Sequence, residues 1–178
     1  MKYLPNLLSI GRLILAPYIF WLMWHRQYGW VLVWFFLSGV TDGLDGYIAR
    51  HWKAQSRIGA MLDPIGDKLL LSGSFLTLAV IGDMEKWLAG LVLGRDLMIL
   101  LFAAGVLAFT KKKNPEFPPS WWGKCSTVAQ IIYIVSLIGH LAGYLPLILP
   151  GLAMLFVLLF WGLSSMDYAR AGWRMVFD

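Results

Sequence analysis

Residues 41–68 read TDGLDGYIARHWKAQSRIGAMLDPIGDK and place four aspartates inside hydrophobic sequence, at Asp42, Asp45, Asp63 and Asp67. An acid within a membrane segment costs roughly 2.5–3.5 kcal/mol even on the lenient insertion scale, so four of them require an explanation. Asp42 and Asp45 are three residues apart, and Asp63 and Asp67 are four apart. Each pair therefore lies on one face of a predicted helix, one turn apart. Two such helices facing each other would present four carboxylates to a shared point, which indicates a site for a polyvalent metal.

The composition predicts a membrane protein of one domain. The 178 residues are 59% hydrophobic and 14% charged, with a mean hydropathy of +0.67, whereas a soluble domain carries about 25% charged residues. Ten Trp and ten Phe fit an aromatic belt at the membrane interface. No linker or change of composition divides the chain, so we expect a single domain over residues 1–178. The net charge of +5 does not indicate a nucleic-acid partner, because the basic residues fall at segment ends.

Hydropathy predicts an all-α integral membrane protein with six transmembrane helices, and a short amphipathic helix around residues 3–8 precedes them. Several of the segments match the ~20 residues that a bilayer core requires. The N-terminus lacks a small-residue cleavage site, so we expect its apolar stretch to be retained. The predicted segments cover about residues 10–24, 30–49, 58–81, 87–109, 128–144 and 147–168.

The distribution of basic residues predicts the orientation. Lys and Arg concentrate before segment one, between segments two and three, between segments four and five, and after segment six, whereas the other connections hold few. The positive-inside rule then places both termini and the basic loops in the cytoplasm. The aspartates fall at the cytoplasmic end of segment two and the start of segment three. The predicted site therefore opens toward the cytoplasm at shallow membrane depth.

The donor atoms at this site favour hard metal ions. Four carboxylates suit Mg²⁺, Mn²⁺ or Ca²⁺, and neither Cys nor His is part of the cluster. Two divalent ions held by carboxylates commonly serve phosphoryl and diphosphate substrates, where they neutralise the leaving group and orient an in-line attack. Arg50, one turn beyond Gly46, could pair with a phosphate through its planar guanidinium.

The same residues carry a resemblance to a known family. Asp42, Asp45, Gly46, Ala49 and Arg50, followed after eight residues by Gly59 and then by Asp63 and Asp67, look like the signature of the CDP-alcohol phosphotransferases, with every fixed position filled. The resemblance implies a six-helix membrane enzyme, usually a homodimer, that joins a CDP-linked lipid to an alcohol and releases CMP.

The resemblance also implies roles for these residues. The four aspartates would bind two Mg²⁺ or Mn²⁺ ions, and Asp67 would also be the general base that accepts the proton of the acceptor hydroxyl. Gly46, Ala49, Arg50 and Gly59 would form the CDP pocket. The expected location is a bacterial inner membrane, with the active site facing the cytoplasm and membrane lipids around it.

Further motifs are similar to the branch that makes phosphatidylglycerophosphate and cardiolipin. They are the opening Pro5-Asn6-Leu-Leu-Ser9 with Arg12, the triplet Gly94-Arg95-Asp96, and Gly123-Lys124 with Thr127 and Gln130. This resemblance makes CDP-diacylglycerol the lipid substrate and favours glycerol 3-phosphate as the acceptor, with Arg95 and Lys124 as contacts of its phosphate. The alternative is a cardiolipin synthase that uses phosphatidylglycerol, because the Arg-Asp form of the triplet also occurs there, whereas phosphatidylglycerophosphate makers usually read Gly-Arg-Glu.

Other interpretations of these residues and other classes of protein compete with this one. The aspartates could form a structural polar network, Arg95 a salt bridge with a helix acid, and Lys124 a topology signal. An ion transporter also carries intramembrane acids, but it would usually show internal repeats and acids near the midplane. An intramembrane prenyltransferase also binds diphosphate through aspartate-rich motifs, but usually with more helices and a different aspartate spacing.

Overall fold

The computed structural model describes the backbone of residues 4–52, 57–109 and 121–177, and the side chains of residues 11, 14–41, 66, 68–101 and 121–167. Within these ranges the chain forms six α-helices and no strand. The helices are α1 (Leu4–Trp24), α2 (Tyr28–Trp52), α3 (Arg57–Ile81), α4 (Lys86–Phe109), α5 (Trp121–Leu141) and α6 (Ile148–Phe177). They belong to two compact units, one of Met1–Met84 with Ile138–Leu145 and one of Glu85–Leu137 with Pro146–Asp178.

The first unit is built around α1, which contacts both α2 and α3. Ile19, Leu22 and Met23 of α1 are almost fully buried, as are Phe75 and Leu78 of α3. These residues recur at intervals of three and four, so each helix buries one continuous stripe.

Gly73 permits a close approach of α3 to α1. A Cβ atom added at Gly73 would overlap the Cζ atom of the Phe20 ring, closer than real Cβ atoms approach other atoms. The absence of a side chain at this position therefore lets the Phe20 ring lie directly on the α3 backbone.

Three helices end in the left-handed backbone conformation, at Arg26 (φ 56°), Gly82 (φ 84°) and Gly143 (φ 80°). Each turn returns backbone hydrogen bonds to the helix that it ends, such as Gln27 N–H to Leu22 O at 3.0 Å and Asp83 N–H to Leu78 O at 3.0 Å. This pattern satisfies carbonyl groups that a helix end otherwise leaves open.

The second unit has buried stripes on α4, α5 and α6, and several positions in them are polar. Leu88, Val92 and Arg95 form the stripe on α4, at successive helical turns, and Val157 and Ser164 of α6 are fully buried. On α5 the stripe includes the polar residues Ser126 and Gln130 beside apolar ones.

The outward faces of the helices are also apolar, which is typical of helices that contact lipid. Trp21 and Trp24 of α1, Phe36 of α2, Met98 of α4 and Leu155 of α6 are each at least half exposed. Among the described residues, Trp121–Leu141 and Ile148–Asp167 are long and apolar enough to cross a membrane, and Ile14–Trp24, Tyr28–Thr41 and Lys68–Ile81 are shorter apolar helices.

The helix bounds differ from the predicted ones in three places, each for a physical reason. The predicted amphipathic helix and segment one form the continuous helix α1, because Pro5 lies in the first turn, where proline is tolerated. Helix α5 begins before residue 128, since Gly123 and Lys124 lower the hydropathy without breaking a helix, and it ends before Gly143. Helix α6 continues to Phe177, because charged residues such as Arg170 shorten an apolar segment but are good helix formers.

Candidate active site

The aspartates predicted to bind metal lie on two consecutive helices of the first unit. Asp42 and Asp45 are in the C-terminal half of α2, and Asp63 and Asp67 are in the N-terminal half of α3. Both helices are continuous through these positions, so each pair occupies neighbouring turns of one helix face, as the spacing predicts. The side chains of the four aspartates lie outside the described residues.

The aspartates sit at matching distances from the connection between α2 and α3. On α2, Asp45 lies seven residues and Asp42 ten residues before the helix end at residue 52. On α3, Asp63 lies six residues and Asp67 ten residues after the helix start at residue 57. At 1.5 Å per residue these positions are about 10 Å and about 15 Å along the helix axes. Helices joined by so short a connection are commonly antiparallel neighbours, an arrangement that would pair Asp45 with Asp63 and Asp42 with Asp67 in depth.

The residues expected to form the CDP pocket belong to the same two helices. Gly46, Ala49 and Arg50 follow Asp45 on α2, and Gly59 precedes Asp63 on α3. Their side-chain surroundings also lie outside the described residues, so these assignments stay predictions.

Three described residues adjoin the aspartates, and one of them, Gly66, is buried. The Thr41 hydroxyl lies 2.8 Å from Leu37 O and 2.9 Å from Ser38 O, so it donates to the backbone of its own helix. Lys68, next to Asp67 on α3, is exposed. Thr41 is half-buried, so of these neighbours only Lys68 is exposed.

Arg95 is buried in the second unit, with 7% of its surface exposed. Its Nη1 atom lies 2.7 Å from Oδ1 of Asp96, the next residue on α4, and its Nη2 atom donates to the hydroxyl of Ser164 on α6. A buried guanidinium needs such partners, because an uncompensated charge in an apolar site is costly. The helix-acid ion pair considered for Arg95 is thus present, and Asp96 supplies the acid.

The sequence interpretation missed the partners of Arg95. Ser164 lies 69 positions from Arg95 in the chain, so no local pattern connects the two residues. A second hydrogen bond joins α4 and α6: Trp161 Nε1–H donates to the carbonyl oxygen of Leu91 at 3.0 Å. The available signal was the pair Ser164 and Ser165 inside an apolar segment, where hydroxyls often bond across helices.

Lys124, the second predicted contact of the acceptor phosphate, lies in the first turn of α5 and is exposed. Nearby, the Thr127 hydroxyl donates to Gly123 O at 3.2 Å, and Gln130 is buried with its Nε2 atom 3.5 Å from Ser126 Oγ. Exposure leaves the Lys124 ammonium open to an anionic ligand or to lipid head groups alike.

A polar cluster and a cavity lie at the opposite end of the first unit. The Tyr28 hydroxyl donates to the carboxylate of Asp83, and the Arg26 guanidinium lies 3.5 Å from the same carboxylate. The adjoining cavity of about 640 Å³ is bordered by residues that include Trp30 and Tyr144. Tyr28 begins α2, about 21 Å along the helix from Asp42, so this cavity does not belong to the predicted metal site.

The donor set at the four aspartates fits divalent metal ions. The two helices offer four carboxylates within about three turns, and oxygen-only donor sets suit Mg²⁺ or Mn²⁺. Within the described side chains there is no group of three or more residues of metal-ligating type. The four aspartates therefore stay the predicted metal ligands.

Comparison with known proteins supports the interpretation of the motif. Residues 2–164 match the family model described as CDP-alcohol phosphatidyltransferase. A CDP-diacylglycerol–glycerol-3-phosphate 3-phosphatidyltransferase of Haemophilus influenzae is 32% identical over 154 residues, which cover 83% of this chain and 82% of that protein. A protein of the same name from Aquifex aeolicus is 31% identical over 182 residues, which cover 97% of each.

A second kind of relative carries a different name. A probable CMP-forming cardiolipin synthase of Drosophila melanogaster is 38% identical over 129 residues, which cover 72% of this chain and 40% of that protein. The first kind of relative is named as a phosphatidyltransferase, and the match to the family model spans both helices that carry the aspartates. The chain therefore belongs to the CDP-alcohol phosphatidyltransferase family and is a phosphatidyltransferase of phospholipid biosynthesis.

Proposed function

We propose that this protein transfers the phosphatidyl group of CDP-diacylglycerol to glycerol 3-phosphate, giving phosphatidylglycerophosphate and CMP. The observation that carries the proposal is the complete family signature on α2 and α3, within a family match over residues 2–164. The relatives from Haemophilus influenzae and Aquifex aeolicus, named for this reaction, support glycerol 3-phosphate as the acceptor.

In this reaction the acceptor hydroxyl oxygen attacks the phosphorus of the phosphatidyl group and displaces CMP. A new P–O bond forms to the acceptor, and the P–O bond that joins the phosphatidyl phosphorus to CMP breaks. Asp67 accepts the proton of the attacking hydroxyl, since a free hydroxyl is a weak nucleophile at neutral pH. The proton passes to the carboxylate, and the electron pair of the broken bond leaves with CMP.

The remaining signature residues bind and orient the nucleotide. Asp42, Asp45 and Asp63, with Asp67 contributing, would hold two Mg²⁺ or Mn²⁺ ions, which neutralise the diphosphate and the charge that develops on CMP. Arg50 would pair with a phosphate through its planar guanidinium. Gly46, Ala49 and Gly59 have little or no side chain, so the CDP moiety can approach the backbone closely.

Arg95 and Lys124 are the proposed contacts of the acceptor. Arg95 is held by Asp96 and Ser164, and a guanidinium can serve a phosphate while it keeps other partners, because it has five N–H donors. Phosphatidylglycerol is the second candidate acceptor, favoured by the Drosophila melanogaster relative and by Asp96 in the triplet. Both acceptors carry a phosphate, so Arg95 does not discriminate between them.

The membrane arrangement belongs to the same proposal. We infer six transmembrane helices, with both termini and the aspartates on the cytoplasmic side of a bacterial inner membrane. The two long apolar helices and the exposed apolar side chains support the spans, and the basic connections support the orientation. A single domain over residues 1–178 that works as a homodimer completes the proposal.

The test of the reaction is a product assay with purified protein. CDP-diacylglycerol and Mg²⁺ or Mn²⁺ are supplied with glycerol 3-phosphate or with phosphatidylglycerol, and CMP and the lipid product are measured. We expect CMP and phosphatidylglycerophosphate with the first acceptor. Cardiolipin formation with the second acceptor alone would assign the chain to the alternative reaction, and no CMP with either acceptor would contradict both.

A further inference from the structure

The contact between Arg95 and Ser164 joins two buried polar groups from different helices. Arg95 is 7% exposed and Ser164 is fully buried. The Arg95 Nη2 atom donates to Ser164 Oγ, while Nη1 pairs with Asp96 Oδ1 at 2.7 Å. Each end of the guanidinium fork is thus held by a different side chain.

Asp96 and Ser164 make different contributions to this arrangement. Asp96 is the neighbour of Arg95 on α4, so it moves with that helix and mainly compensates the buried charge. Ser164 belongs to α6. Its hydroxyl therefore fixes the far end of the arginine side chain against a separate element of the second unit.

A separate hydrogen bond joins α4 and α6, one helical turn away from the contact between Arg95 and Ser164. Trp161 Nε1–H donates to Leu91 O at 3.0 Å, and neither residue contributes to the Arg95 cluster. Because this bond joins the same two helices, Ser164 is not needed to align them. Its particular effect is on the rotamer of the Arg95 side chain.

We propose that Ser164 is a positioning residue for the acceptor substrate, which acts by holding the Arg95 guanidinium in the orientation that receives the acceptor phosphate. This inference rests on the proposed function. An arginine side chain loses considerable rotamer freedom when it is ordered. Ordering it before the substrate arrives removes that cost from the binding step, so the benefit appears in acceptor affinity.

The matched substitution is Ser164→Ala with Ser165→Ala as its control. Ser165 is the adjacent serine, and its hydroxyl donates to Trp161 O in its own helix at 2.7 Å. We expect Ser164→Ala to raise the acceptor KM about tenfold, the range expected when a hydrogen bond to a charged group is lost. The KM for CDP-diacylglycerol and kcat should stay near wild type, and Ser165→Ala should leave all three unchanged. If Ser164→Ala is unstable, Ser164→Cys replaces it in the test. Cysteine is similar in size to serine, but its sulfur accepts hydrogen bonds only weakly, so we expect the same rise in the acceptor KM.

A double-mutant cycle tests whether Ser164 acts through Arg95. In an Arg95→Lys background, Ser164→Ala should add less than about twofold to the acceptor KM, because interacting residues are not additive. A full tenfold addition in that background would overturn the proposal, as would equal effects of the Ser164 and Ser165 substitutions. Wild-type protein that releases no CMP would instead contradict the proposed function.

Discussion

At the scale of single residues, Asp67 is proposed to carry a role that the other three aspartates do not share. All four are proposed to hold metal, but only Asp67 is proposed to accept a proton from the acceptor hydroxyl. Metal binding and proton transfer can therefore be tested separately. Substitution of an aspartate by asparagine keeps the shape of the side chain but removes its charge and its basicity.

The first prediction is that Asp67→Asn lowers turnover by about 10²–10⁴-fold, the usual contribution of a general base. Binding of CDP-diacylglycerol should be largely retained, because one metal-facing oxygen remains. The matched variant is Asp42→Asn, which should weaken metal and nucleotide binding instead. Measurements of kcat and of equilibrium nucleotide binding distinguish the two, and normal turnover of Asp67→Asn would exclude it as the base.

The second prediction concerns Arg95, whose guanidinium is held at both Nη atoms by Asp96 and Ser164. Lysine keeps the charge but loses the planar fork that spans two partners. Arg95→Lys should raise the acceptor KM strongly and leave the KM for CDP-diacylglycerol nearly unchanged. Steady-state titration of each substrate measures this, and equal changes in both constants would indicate a purely structural ion pair.

At the scale of elements, hydropathy located all six helices of the described residues, whereas the contacts between helices could not be predicted. Apolar runs identify a helix because a membrane segment must satisfy its own backbone hydrogen bonds. They do not reveal that Ser164 reaches Arg95 or that Trp161 reaches Leu91, since each pair is separated by about 70 positions. The aspartate spacing was sufficient to predict the helix faces of the candidate site.

The third prediction uses the close approach of α3 to α1 at Gly73. Gly73→Ala should destabilise the protein by about 1–3 kcal/mol, the usual cost of overpacking, because the added Cβ would overlap the Phe20 ring. Gly90→Ala on α4 is the control, since its Cβ would meet nothing within 4 Å and alanine favours helix. Thermal unfolding in detergent compares them, and an equal or smaller loss for Gly73→Ala would refute the packing argument.

At the scale of the whole molecule, catalysis is proposed to depend on divalent cations held by the four aspartates of α2 and α3. Four carboxylates crowded together without cations would repel one another. The proposed reaction therefore requires bound metal.

The fourth prediction is that EDTA abolishes CMP release and that added Mg²⁺ or Mn²⁺ restores it. The chelator should not unfold the chain, because the described core of α1 and α3 is formed by apolar side chains such as Ile19, Phe75 and Leu78. Activity and the circular dichroism of the helices are followed in one titration. Full CMP release in excess chelator would remove the metal from the mechanism.

The fifth prediction concerns orientation in the membrane. In a Cys125→Ser background, the thiol introduced by Lys112→Cys should react with a membrane-impermeant maleimide only from the cytoplasmic side. Tyr144 is exposed beyond the end of α5. The thiol introduced by Tyr144→Cys should react only from the opposite side. Labelling of right-side-out and inverted vesicles gives the answer, and the reverse pattern would invert the proposed topology.

The short turns after α1, α3 and α5 have a consequence for biosynthesis. Only three, four and six residues separate these helices from the next, and under the proposed topology those residues are what the insertion machinery must translocate. Arg26 and Asp83, two charges in these turns, lie 3.5 Å apart, so they partly neutralise each other once the first unit has formed. Under the same proposed topology, the eleven residues between α4 and α5, with their run of lysines, would stay on the cytoplasmic side. Insertion in this topology would therefore require little hydrophilic sequence to cross the bilayer. Lengthening one of the three short turns should slow membrane integration more than lengthening the lysine-rich connection.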